Sequence, residues 1–87
     1  MRYSIIKPDT RIYVGNSSID GCDLSDVKNF HAIHYDTDNG GEIEYSDRNE
    51  LVNNDSDFKE KVGISLSEVA NRKTEREAVV EEENKLS

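Results

Sequence analysis

Asp36, Asp38, Asn39 and Glu42 set side-chain oxygens along one short segment, the arrangement with which a calcium loop begins. The fifth position of that loop is Gly40 rather than Asp or Asn. The twelfth is Asp47, too short to replace the usual bidentate glutamate. Residues 36–42 are therefore expected to form a hairpin turn and no metal site. His31 and His34 are three apart. That spacing chelates a metal on a helix, but on a strand it sends the two rings to opposite faces. Cys22 precedes Asp23 in an acidic stretch that raises a thiol pKa, so a small buried or half-buried filler is expected rather than a nucleophile. The chain has no glycine-rich phosphate loop, no serine elbow and no carboxylate pair in an apolar setting. No catalysis and no cofactor are expected. Glu42 and Glu44 suggest a different chemistry, because spaced carboxylates on a compact protein can imitate a phosphate array.

The elements that would position these residues change character near residue 50. Arg2 to Ile6 reads as a strand closed by Pro8 in a tight turn. Arg11-Ile12-Tyr13-Val14 alternates, and Gly15-Asn16 supplies a hairpin connection to a short return strand at Ser17-Ser18-Ile19. Leu24 and Val27 fall on one side of a single helical turn. Phe30 to Tyr35 and Glu42 to Tyr45 form a hairpin about Asp36–Gly41. The predicted core is Ile5, Ile12, Val14, Leu24, Val27, Ile33, Tyr35, Ile43 and Tyr45, with Glu42 and Glu44 facing water. Residues 47–64 read as a polar linker with a possible short helix from Phe58 to Val62, ended by Gly63. Ser65 and Glu68 fit a capping box before a helix over 66–84. Leu66, Val69 and Ala70 begin an apolar stripe that Lys73, Arg76 and Glu77 interrupt and Val80 resumes. That helix is predicted to dock on a partner, project or fray. The predicted fold is α+β: a small antiparallel meander of hairpins (residues 1–46), the linker, and a charged helix (residues 65–87).

At 87 residues the chain is one domain at most, and 33% hydrophobic content limits the core it can build. With Cys22 the only cysteine, disulfides cannot compensate, and a reducing compartment is expected. The net charge of −8 is split evenly, −4 on each side of residue 46/47, and opposes binding to nucleic acid or to an anionic membrane. No apolar run approaches a membrane span and no signal peptide is recognisable, so cytoplasmic synthesis is expected. The closing Lys85-Leu86-Ser87 fits a vector-derived extension, which would make the chain a fragment.

From Ile5 to Tyr45 the chain resembles the N-terminal segment of phage tail-fibre and tail-assembly-associated proteins. The residues that carry this are Ile5-Ile6-Lys7-Pro8-Asp9-x-Arg11-x-Tyr13-Val14, Asp23-Leu24-Ser25, Phe30-His31-Ala32-Ile33-His34-Tyr35-Asp36 and Gly41-Glu42-Ile43-Glu44-Tyr45. The chain departs from that pattern at His34-Tyr35, where the family has a tryptophan, and it lacks the family's longer helical region. The resemblance implies a non-enzymatic β module at a viral tail or assisting its assembly in the host cytoplasm. Its partners would be other tail proteins or further copies of itself. Leu66, Val69, Ala70 and Val80, with Glu42 and Glu44, are the expected contact residues. The alternative is a phage-encoded inhibitor of a host nuclease, acting through its acidic face as a nucleic-acid mimic.

Overall fold

The computed structural model describes residues 1–86. It is α+β, a six-stranded antiparallel sheet with two helices on one side. The strands are β1 (Arg2–Ile6), β2 (Arg11–Val14), β3 (Ser17–Ile19), β4 (Ala32–Asp36), β5 (Gly40–Glu44) and β6 (Asn49–Val52), and the helices are α1 (Asp55–Val62) and α2 (Leu66–Leu86). The spatial order is β3-β2-β1-β4-β5-β6. The sheet is thus two three-stranded meanders joined where β1 pairs antiparallel with β4, in the register Arg2↔Asp36, Ser4↔His34 and Ile6↔Ala32. The connection over residues 20–31 carries the chain from the outer edge of one meander back to the middle of the sheet.

Alternation decides which face is covered. Ile12, Ile5, Ile33 and Ile43 lie in one cross-strand row, all fully buried, and Tyr35 and Val52 lie on the same face. Phe58 and Val62 of α1, Val69 of α2, Ile64 between the helices, and Cys22, Leu24, Val27 and Phe30 of the long connection close over them. The predicted core residues are all in or against this cluster, with Val14 and Tyr45 only partly buried.

Two sequence readings need correction. Residues 47–64 are not a linker: a tight turn in which Tyr45 N–H donates to the Arg48 carbonyl (2.7 Å) brings in β6, and α1 follows almost at once. α1 is capped by Asn54, whose side chain accepts from the Asp57 N–H, and it ends at Gly63 in the left-handed region (φ 99°). That conformation disfavours any residue with a Cβ. Nor is α2 unseated. Val69 is fully buried, Leu66 packs on the core, and Lys73, which seemed to break the stripe, is itself buried with its ammonium 3.1 Å from Glu77. Arg72 holds Asp26 through two bonds (2.5 and 2.8 Å), Glu68 at 3.0 Å and the Asp23 carbonyl at 3.1 Å, while Arg76 donates to the Asp20 carbonyl at 3.2 Å. The long connection is thereby tied to the helix. Ser65 caps α2 as predicted, accepting from the Glu68 N–H, but the Glu68 carboxylate turns to Arg72 instead of completing the box.

Only the first half of α2 is seated. From Glu77 to Lys85 every residue except the half-buried Val80 is exposed, and the molecule's long dimension is 43 Å against 26 and 18 Å. A helix of this length spans about 30 Å, so its C-terminal turns overhang the sheet. Among the described residues no helix is long and apolar enough to cross a membrane.

Candidate contact surface

The face of the sheet opposite the helices carries no covering element among the described residues. Its side chains are Arg2, Ser4 and Ile6 of β1, Arg11 and Tyr13 of β2, and Ser18 of β3. Across the centre follow Ala32, His34 and Asp36 of β4, Glu42 and Glu44 of β5, and Asn49 and Leu51 of β6. Leu51 is 67% exposed and Tyr13 38%, the values of side chains standing on an open sheet. A shallow groove lined by Arg2, Ser4, Ile6, Tyr13, Gly15 and His34 runs along the middle. The charge is divided: Arg2 and Arg11 stand on the β1–β2 side, and Asp36, Glu42 and Glu44 on the β4–β5 side.

The centre of this face holds a serine, a histidine and a glutamate in sequence. Ser4 Oγ and His34 Nδ1 share a hydrogen bond of 3.0 Å, and His34 Nε2 lies 3.5 Å from Glu44 Oε2. The order is that of a nucleophilic triad, but the surroundings differ. Ser4 is buried between its neighbours and sits on a central strand whose peptide groups are taken up by β2 and β4. The β1 amides beside it are engaged in the two ladders, unlike the free N–H groups that an oxyanion hole presents. The arrangement fixes the imidazole upright on the face. Sequence reading missed it because Ser4 and His34 meet only through the β1–β4 register, thirty residues apart in the chain.

The other predicted sites are dispersed. Asp36 and Asp38 stand in the β4–β5 turn, where the Asp36 carboxylate accepts from the Asp38 N–H at 2.8 Å. His31 lines a cleft at the end of the sheet with Phe30, Tyr45 and Arg48, away from His34. There the Arg48 guanidinium lies 4.5 Å from the Tyr45 ring centroid and is held by Glu50 at 2.7 Å. Cys22 is buried and donates to the Ile19 carbonyl at 3.6 Å, and burial pushes its thiol pKa up. Among the described residues no three His, Cys, Asp or Glu side chains converge as a metal site would require. Of the expected contact residues, Glu42 and Glu44 are on the open face and Val80 is on the overhanging part of α2. Val69 is in the core, and Leu66 and Ala70 are half-buried near it. Val79, 46% exposed, joins Val80 on the overhang.

Behind the open face one side chain has a pH consequence. Tyr35 is 2% exposed, and its hydroxyl donates to the Asp55 carboxylate at 2.5 Å. Burial first, and that carboxylate second, push its pKa up to about 12. The unfolded chain ionises this phenol near its ordinary value of about 10. Between those values the unfolded state binds fewer protons than the folded one, so stability falls as pH rises. The Tyr35 contribution is complete below about pH 10 and is lost toward pH 12. Urea midpoints at pH 8, 10.5 and 11.5 check this. The Tyr35→Phe variant is expected to lose less of its own stability over that range than the wild type does.

No protein-family profile, no curated protein and no solved structure matches this chain.

Proposed function

We propose that this chain is a non-catalytic component of a bacteriophage tail, structural or assembly-assisting, that works through protein–protein contact. The observation that carries the reading is the one-sided sheet. The core is built on one face, while among the described residues nothing covers the other face or the end of α2. Tyr13, Ile6 and Leu51 on that face, and Val79 and Val80 on α2, offer apolar surface set among charges, the composition of a contact rather than of a reaction site. The resemblance over residues 5–45 supplies the setting, a pattern of strands and turns similar to that of tail-associated proteins. The mimic reading is weaker because Arg2 and Arg11 break the acidic surface beside Glu42 and Glu44.

A tagged pull-down from cells producing the phage, washed at low and at high salt, tests the proposal. Tail or fibre proteins are expected to stay through the high-salt wash, and the Val79→Asp/Val80→Asp variant is expected to release them. Recovery of a host nucleic-acid-binding enzyme, lost at high salt, would overturn the tail reading and support the mimic.

A further inference from the structure

We infer that the open face of the sheet is occupied by a second copy of this chain, stacked face to face about a two-fold axis parallel to the strands. The inference rests on the reading of that face as a contact surface and names its occupant. It follows from the register and the division of charge. β1 and β4 are the two middle strands of the order β3-β2-β1-β4-β5-β6, so an axis above their seam sets β1 over the partner's β4 and β2 over its β5. Residues at equal height then meet.

Arg2 pairs across the seam with Asp36, so each Arg2 meets the other copy's Asp36. Ile6 and Ala32 are register partners, so each Ile6 stands over an Ala32 that is itself only 2% exposed among its own neighbours. One strand further out at the same height, Arg11 stands beside Ile6 and Glu44 beside Ala32, so each Arg11 meets a Glu44. On the middle row Tyr13 lies over Glu42, Ser4 over His34, and Ser18 over the exposed Leu51. Every cation on the face therefore finds a carboxylate, and no two like charges are opposed. The opposite stacking, about an axis across the strands, keeps each strand over its own equivalent. Centred on the Ser4 row, it sets Arg2 over Ile6, Asp36 over Ala32 and Glu42 over Glu42, so neither arginine meets a carboxylate and one like-charge pair is opposed.

The contacts these groups already make do not prevent this. Arg11 is held by Ser18 at 2.9 Å and faces Asp20 at 3.7 Å, and Glu44 lies 3.5 Å from His34. Asp36 accepts from the Asp38 N–H at 2.8 Å and lies 3.9 Å from the Met1 ammonium, contacts of one oxygen that leave the other for an arginine. Aligned sheets pack about 10 Å apart and within about 30°, within reach of arginine and glutamate side chains. At ordinary strand spacings the face is roughly 24 by 16 Å, below the roughly 800 Å² per partner of a standard interface. The dimer is therefore a weak, rapidly exchanging one that salt loosens further. It leaves the overhanging end of α2 free for a tail partner.

Sedimentation equilibrium of the purified chain at several concentrations tests this, at about 50 and 500 mM salt. The wild type is expected to dimerise at low salt and less so at high salt. Arg11→Glu and Glu44→Arg each place two like-charge pairs in the interface and are expected to weaken association by at least about tenfold. An equimolar mixture of the two variants restores both pairs in a heterodimer, and the double variant R11E/E44R restores them in a homodimer. Both are expected to return toward wild-type association, and thermal melts confirm that each chain is folded. A wild type that stays monomeric, or single variants that dimerise as the wild type does, would overturn the inference. So would single variants that do not rescue each other on mixing. A monomeric wild type that still retains tail proteins in the pull-down would leave the proposed function standing without the dimer.

Discussion

Phe58→Ala is expected to lower stability by about 3–5 kcal/mol, the cost of emptying a large aromatic site in a packed core. Phe58 is fully buried, and its ring lies 5.5 Å from that of Tyr35 at an angle of 44°. It is the largest side chain that α1 sends into the sheet, and Tyr35, Val52 and Val62 around it are also nearly or fully buried. A domain of this size has a total stability of about 4–13 kcal/mol, so the loss removes a large share of it. With an ordinary urea slope the midpoint should fall by about 2 M. A fall of less than about 0.5 M would mean that α1 does not close the core through Phe58. Sequence reading gave Phe58 no core role, because α1 is a short, mostly charged segment with apolar residues only at Phe58 and Val62.

Gly41→Ala is the second large effect, and its cause is steric. A Cβ on Gly41 would overlap the His34 carbonyl oxygen and lie 2.6 Å from Tyr35 Cα and 2.8 Å from the His34 carbonyl carbon. All three atoms are backbone of β4, which is fixed on one side by β1 and on the other by β5, so no flexible side chain can move to make room. The ladder itself must shift, and the expected cost is about 3 kcal/mol, the upper end for overpacking. Gly15→Ala is the control. Gly15 has φ 61°, but the nearest atom to its added Cβ is Met1 Sδ at 3.3 Å, the far part of a flexible side chain. Only the backbone penalty of a left-handed L-residue applies there, about 1–2 kcal/mol. Equal urea midpoints for the two variants would contradict the β4–β5 pairing on which the open face depends.

The parts of this fold legible in the sequence are those set by local alternation and turn chemistry. Ile12 and Val14, Ile33 and Tyr35, and Ile43 share faces as period-two reading requires, and Pro8, Gly15 and Gly40 mark turns. β6 was not legible because its one apolar inward residue is Val52. Its other inward position is Glu50, its outward Leu51 is exposed, and only pairing with β5 makes it a strand. The seat of α2 was hidden for a different reason. Lys73 reads as a break in an apolar stripe, yet a lysine stem can be buried with its ammonium at the edge. Arg72 and Arg76 find their acceptors at Asp26, Asp23 and Asp20, about fifty residues away in the chain. The strand order was equally inaccessible. A simple meander keeps sequence neighbours adjacent, whereas here β4 returns to lie beside β1. That return sets arginines on one half of the open face and carboxylates on the other.

The overhang of α2 and the open face of the sheet leave two separate exposed regions on a small protein. If two copies stack through their sheets, the helix ends lie on the outer sides of the pair. The predicted acidic mimic would instead need its carboxylates free, and in the stacked pair Glu44 and Asp36 are covered by the partner's arginines.

The measurement that tests the central claim most directly is a dilution series of two-dimensional amide NMR spectra on the wild-type chain at low salt. The account predicts concentration-dependent shifts at the open-face positions Arg2, Arg11, Tyr13, His34, Glu42 and Glu44, while Val79 and Val80 stay fixed. Shifts confined to the outer side of α2, or none across the series, would contradict it.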